Sequence, residues 1–139
     1  SFYEDIADEL AAGAIATLDA AQASYDVIDV AGAFEIPAAI GFAHQAGLNG
    51  TIDAYDGYIG LGCVIRGETS HYDYVCGESA RGLMDLSVQK QIALVNGILT
   101  VENRDQAMAR ARQSEKNKGG DIAEALLGMI ALKQQYGLS

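Results

Sequence analysis

The 139-residue sequence has no run of about 18 or more apolar residues, so no transmembrane helix is expected. No basic stretch followed by an apolar one opens it, as a secretory leader would, which points to a cytoplasmic protein or to a sequence trimmed at its start. Cysteine is scarce. Cys63 and Cys76 fall in an expected strand and an expected helix without metal-ligand spacing. They read as small buried hydrophobes in a reducing compartment, and no zinc or other metal site is expected. Positive charge is also short: nine Lys and Arg stand against nineteen Asp and Glu, for a net charge of −10. That balance disfavours nucleic acid and anionic membrane as partners. The glycines at 57, 60, 62 and 67 do not form Gly-x-Gly-x-x-Gly, and no Gly-Lys-Ser/Thr follows. A dinucleotide fingerprint and a P-loop are therefore both absent.

Apolar residues make up 50% of the chain, enough for one domain over residues 1–139 with a substantial core. Ile6, Leu10, Ala14 or Ile15, and Leu18 repeat at helical spacing within 2–22, and acidic residues load the first turns of that helix. Residues 25–30 read as a short strand. The only proline, Pro37, sits where a turn over 31–37 passes into a second helix ending near 45. The run 58–65 is almost continuously apolar, as in a parallel strand covered on both faces. A third helix is expected over 72–89, a strand over 92–99, and a basic helix from the cap Asn103 to about 112. Gly119 and Gly120 should interrupt the pattern before a last helix that ends near Gly137. This alternation specifies a parallel α/β sheet in layers. The scheme opens on a helix and holds three clear strands. A strand ahead of Phe2 would complete a flavodoxin-like arrangement, supplied upstream or by another chain.

The chemistry concentrates after the strand 58–65. The segment Ile65-Arg-Gly-Glu-Thr-Ser-His71-Tyr-Asp-Tyr74 is a polar loop opening a helix. Helix N-termini bind anions through N–H groups that have no intrahelical partner. A histidine there is placed to move protons near neutral pH. Ser70 and His71 are adjacent and so do not point at one another, which argues against a hydrolase triad with Asp73. Five of the nine basic residues (Arg104, Arg110, Arg112, Lys116, Lys118) lie between 104 and 118. They form either a solvated helix face or a set gathered to hold a phosphate, a role that suits arginine's planar fork. The residues taken alone indicate an enzyme acting on a phosphorylated small molecule.

Several motifs then occur in a telling order: Val30-Ala-Gly-Ala-Phe-Glu-Ile-Pro37, Gly62-Cys-Val-Ile-Arg-Gly-Glu-Thr-Ser-His-Tyr-Asp-Tyr-Val-Cys76, Gly97-Ile-Leu-Thr-Val-Glu-Asn103, Gln106-Ala-Met-Ala-Arg-Ala111 and Asn117-Lys-Gly119. Together they resemble the 6,7-dimethyl-8-ribityllumazine synthases over nearly the whole chain. The resemblance implies a flavodoxin-like layered sandwich, its parallel sheet flanked by helices. It implies condensation of 5-amino-6-(D-ribitylamino)uracil with 3,4-dihydroxy-2-butanone 4-phosphate, with loss of phosphate and water and with no metal or organic cofactor. His71 would be the proton-transfer histidine. Arg110 would hold the phosphate, with backbone N–H groups of Gly67, Glu68 and Thr69. Ala33, Phe34 and Glu35 would grip the ribityl chain and pyrimidine, and Cys63, Val64 and Ile65 would line the pyrimidine with strand backbone. Phe2 would stack on the heterocycle. Asn96, Arg110 and Lys118 would come from a neighbouring subunit, since the family's sites lie between protomers of a pentamer, which in some members assembles further into decamers or capsids. The chain departs from the family in lacking its first strand before Phe2, in Ser1 where a basic residue is usual, and in Ala31 where proline is common. Two other classes share the resemblance: a module that holds flavin or lumazine without turnover, and a shell-forming scaffold. Intact His71 and Arg110 argue against the first.

Overall fold

The computed structural model describes residues 4–67 and 70–138. Helix α1 (Glu4–Ala20) is followed by an irregular stretch, a 3₁₀ turn (Ala33–Glu35) and α2 (Ile36–Leu48). Strand β1 (Tyr58–Ile65), helix α3 (His71–Gln89), strand β2 (Leu94–Val101), and helices α4 (Arg104–Ala111) and α5 (Lys118–Gln135) complete the order. β1 and β2 pair in parallel, from Tyr58 against Leu94 to Ile65 against Val101. Among the described residues the sheet has these two strands. No helix of the described residues is long and apolar enough to cross a membrane.

Strand alternation divides the core into two faces. Leu61, Cys63 and Ile65 pack against Ile6 and Leu10 of α1 and Ala107 and Ala111 of α4. Ile59 and Leu61 meet Ala14, Leu18 and Ala123, where α1 crosses α5. The opposite face carries Ile36 and Ile40 of α2, Leu83 of α3, and Tyr58, Leu94 and Ile98 from the strands. Helices thus cover both faces of a parallel sheet, the layered flavodoxin-like architecture expected from the sequence.

Three expectations are corrected. Residues 25–30 do not form a strand: the stretch makes no ladder, and Ile28 is 69% exposed. Its valines and isoleucine favour extended backbone, but strand formation is decided by a pairing neighbour. β1 already pairs with β2 on one edge, and no described residue pairs with the other. The stretch is tethered instead by Tyr55, whose hydroxyl donates to Asp26 at 2.5 Å. The second strand starts two residues late, because pairing begins where Tyr58 N–H donates to Ala93 O at 2.9 Å. Gly119 and Gly120 do not interrupt a helix but lie in the first turn of α5, both buried. A Cβ at Gly119 would overlap the Leu10 carbonyl oxygen and come within 3.1 Å of Ala14 N. Gly119 lets α1 and α5 touch, whereas a Cβ at Gly120 would run into the cap residue Asn117.

Candidate functional site

The carboxyl end of β1 is where the candidate residues gather. Parallel α/β sheets place their functional loops at that end, because each strand leaves there toward a helix start. The 3₁₀ turn Ala33–Glu35 packs against both β1 and α3. One strand glycine permits that approach. A Cβ at Gly60 would sit 2.8 Å from Ile36 Cγ2, whereas one at Gly62 would make ordinary contact, 3.9 Å from the Ala33 Cβ. With Gly60 bare, Ile36 seats on the strand and Ala33 lies over Gly62, toward its end. Phe34 is 56% exposed there, and the Glu35 side chain is also open to solvent. His71 is the first residue of α3 and is exposed. Ala33, Phe34, Glu35, Val64 and His71 are therefore brought to one mouth by a turn, a strand end and a helix start.

Cys63 and Ile65 differ from Val64. Their side chains point to the α1 and α4 face, so toward the mouth they offer backbone only. Burial pushes the Cys63 thiol up to about 11 and raises that of Cys76 as well. Both stay protonated at neutral pH and are poor nucleophiles. Among the described residues, no group of three or more His, Cys, Asp or Glu could hold a metal ion.

Arg110 and Lys118 lie elsewhere in the chain. Arg110 stands in the last turn of α4 and Lys118 opens α5, both exposed, in the layer across the sheet from α2 and α3. Arg110 Nη1 donates to the Gln106 carbonyl at 3.1 Å. Arg104 is paired with Asp5 and Arg112 with Glu115, so part of the basic segment has a structural role. Asn96 is exposed on β2 opposite Gly60, five positions before the end of β1. At about 3.3 Å per residue that is roughly 16 Å from the mouth. Its Oδ1 accepts from Ile98 N–H at 2.9 Å, and it borders a cleft of about 140 Å³ beside Leu83, Met84 and Ser87 of α3. Phe2, Glu68 and Thr69 fall outside the described residues.

A larger groove of about 410 Å³ runs between α2 and α3, past Pro37, Phe42, Gly82 and Leu86. It is apolar and contains none of the candidate catalytic or substrate-binding residues, so chemistry and cavity size disagree. The convergence of a histidine, a carboxylate and an aromatic at a strand end is the better guide. One cluster at the same end has no signal in the sequence: Glu102 after β2 meets Arg66 after β1. Only the parallel register brings those two residues together.

Comparison with known proteins identifies the family. The family model described as 6,7-dimethyl-8-ribityllumazine synthase matches residues 1–134. A Bartonella tribocorum protein of that name is 58% identical over 136 residues, covering 98% of this chain and 87% of the relative. A Methylobacterium radiotolerans protein with the same name is 59% identical over 133 residues, covering 96% of this chain and 77% of the relative. The Rhizobium meliloti protein named 6,7-dimethyl-8-ribityllumazine synthase 1 is 57% identical over 136 residues, covering 98% and 88%.

Proposed function

This chain belongs to the 6,7-dimethyl-8-ribityllumazine synthase family, and we propose that it carries out the family's reaction in a site built from two neighbouring copies. The reaction condenses 5-amino-6-(D-ribitylamino)uracil with 3,4-dihydroxy-2-butanone 4-phosphate, and phosphate and water leave. Much of the acceleration comes from holding both reactants in one pocket, which replaces a bimolecular encounter. The uracil amine attacks the ketone carbonyl and loses water to give an imine. Elimination of phosphate then leaves an enol that tautomerises to a new ketone, and the ribitylamino nitrogen closes onto that carbonyl with loss of a second water.

His71 moves protons in these steps, an effect typically worth about 10²- to 10⁴-fold. Glu35 accepts from ribityl hydroxyls, while Ala33, Phe34 and Val64 shape the pyrimidine pocket together with the backbone of Cys63 and Ile65. Phe2 stacks on the heterocycle, and Glu68 and Thr69 offer backbone N–H groups to the phosphate. Arg110, Lys118 and Asn96 come from the adjacent copy, Arg110 stabilising the departing phosphate. The observation that carries the reading is the packing of the 3₁₀ turn against both β1 and α3, the helix that His71 opens. These stretches carry motifs by which the sequence resembles the family. The position of Arg110 and Lys118 across the sheet from His71 supports completion by a neighbour. So do the large apolar side chains left open on α2 and α3, with Phe42 74% and Met84 63% exposed. A pentamer, alone or as the unit of a larger shell, fits such a site. A cytoplasmic setting suits the two free thiols.

Incubating the purified protein with both substrates and following lumazine absorbance together with phosphate release tests the assignment. Equimolar product and phosphate are expected. Binding of the uracil with no product would overturn it.

A further inference from the structure

We propose that Arg66 is a positioning residue that holds His71 in its working orientation. Arg66 is the first residue after β1, and none of the roles above uses it. Its backbone N–H extends the sheet by donating to Val101 O at 2.9 Å. Its Nε lies 3.0 Å from Oε2 of Glu102 and 3.2 Å from Oε1. Nη1 is 3.8 Å from Asp73 Oδ1, and the guanidinium carbon sits 4.4 Å from the centre of the Tyr72 ring. Glu102 is the residue after β2, whereas Tyr72 and Asp73 directly follow His71 in the first turn of α3. One side chain therefore ties the start of α3 to the ends of both strands.

An exposed ion pair alone contributes little. This guanidinium has three partners at once, including a ring face that suits its planar fork, so its rotation is far more restricted. The restraint matters because the first turn of a helix lacks half its backbone bonds and is the part that frays. A histidine on that turn can be aimed only as well as the turn is held. Misplacing a catalytic group by about 1 Å can reduce rate up to roughly 10²-fold. The inference rests on the reading of His71 as the group that moves protons.

The rival role for an arginine here is direct contact with the phosphate of the ketone. Glu102 separates the two. If Arg66 acts by position, Glu102→Gln loosens the clamp and lowers kcat as Arg66→Gln does. If Arg66 binds phosphate itself, Glu102→Gln releases it, and the KM for the ketone stays level or falls.

Steady-state kinetics on the assembled full chain decide the matter, comparing wild type, Arg66→Gln, Glu102→Gln, His71→Ala and the double variant His71→Ala/Arg66→Gln. We expect each clamp variant to lower kcat by roughly threefold to thirtyfold, with both KM values within about twofold of wild type. In the His71→Ala background, Arg66→Gln should change kcat by less than about twofold, since a residue acting through His71 has nothing left to aim. An equal loss in both backgrounds would show a general structural role and overturn the proposal. So would wild-type kcat in Glu102→Gln, or an effect of Arg66→Gln confined to the KM of the ketone. Should Arg66→Gln fail to assemble, the same cycle run with Glu102→Gln decides between the two roles. A wild-type protein that forms no product refutes the underlying assignment instead, and this proposal falls with it.

Discussion

His71 stands on the first residue of α3, exposed, at the mouth where the 3₁₀ turn overhangs the end of β1. Replacing it with alanine removes a proton carrier without opening a core cavity. Turnover should fall by roughly ten- to a thousandfold, since water substitutes in part, while thermal stability stays within about 0.5 kcal/mol. Unchanged turnover across the pH range would remove His71 from the mechanism. The cysteine thiols give a second prediction. Burial raises Cys63 from 9.0 to about 11, so the folded protein resists its ionisation more than the unfolded chain does. Stability from this group is present below pH 9 and is lost as pH rises toward 11. Melting temperature should therefore fall through that window, and less steeply in Cys63→Ala; equal slopes would contradict the burial. At this scale the sequence was legible for placement, as for His71 at a helix start and Glu35 in a turn. It was silent on Arg66, because the partner Glu102 is 36 positions away. Two strands must settle into register before the pair exists.

Among the elements, α1 and α5 depend on close approach. Gly119→Ala forces a Cβ into the Leu10 carbonyl, an overpacking that should destabilise by about 1–3 kcal/mol in denaturant unfolding. Gly128, also in α5, has nothing within 4 Å of where its Cβ would stand. Gly128→Ala should instead stabilise by about 0.4–1 kcal/mol by restricting the unfolded chain. Equal responses at the two sites would show that helix propensity, and not the α1–α5 contact, governs them. The contrast also explains one misreading. In sequence a glycine pair looks like a break, and only the crossing helix reveals Gly119 as a contact. Periodicity located α1, β1 and α3 well, because each buries a stripe or a whole strand. It failed over 25–30, where strand propensity is present but no described residue offers a partner edge.

For the whole molecule, the proposed function makes the mouth of a single copy half a site. The mouth has the histidine and the carboxylate of Glu35, while Arg110 and Lys118 stand in the layer across the sheet. Arg110→Ala should raise the KM for the phosphorylated ketone at least about tenfold, because a charged hydrogen bond is worth about 1.5–3 kcal/mol. The KM for the uracil should barely move. Equal shifts would detach Arg110 from the phosphate. Nothing in one sequence states which residues serve a neighbour; the family resemblance supplied that idea, and the separation of the two groups within the chain agrees with it.

The shared site is tested most directly by mixing two impaired proteins and assaying them at a ketone concentration well below the KM of Arg110→Ala. His71→Ala and Arg110→Ala subunits, co-expressed or dissociated and reassembled together, form rings in which some junctions join an intact His71 to an intact Arg110. Random one-to-one assembly should restore activity to roughly a quarter of the wild-type sites. A mixed assembly, confirmed by native mass spectrometry, that is no more active than the two variants apart would show that each copy works alone and would contradict the account.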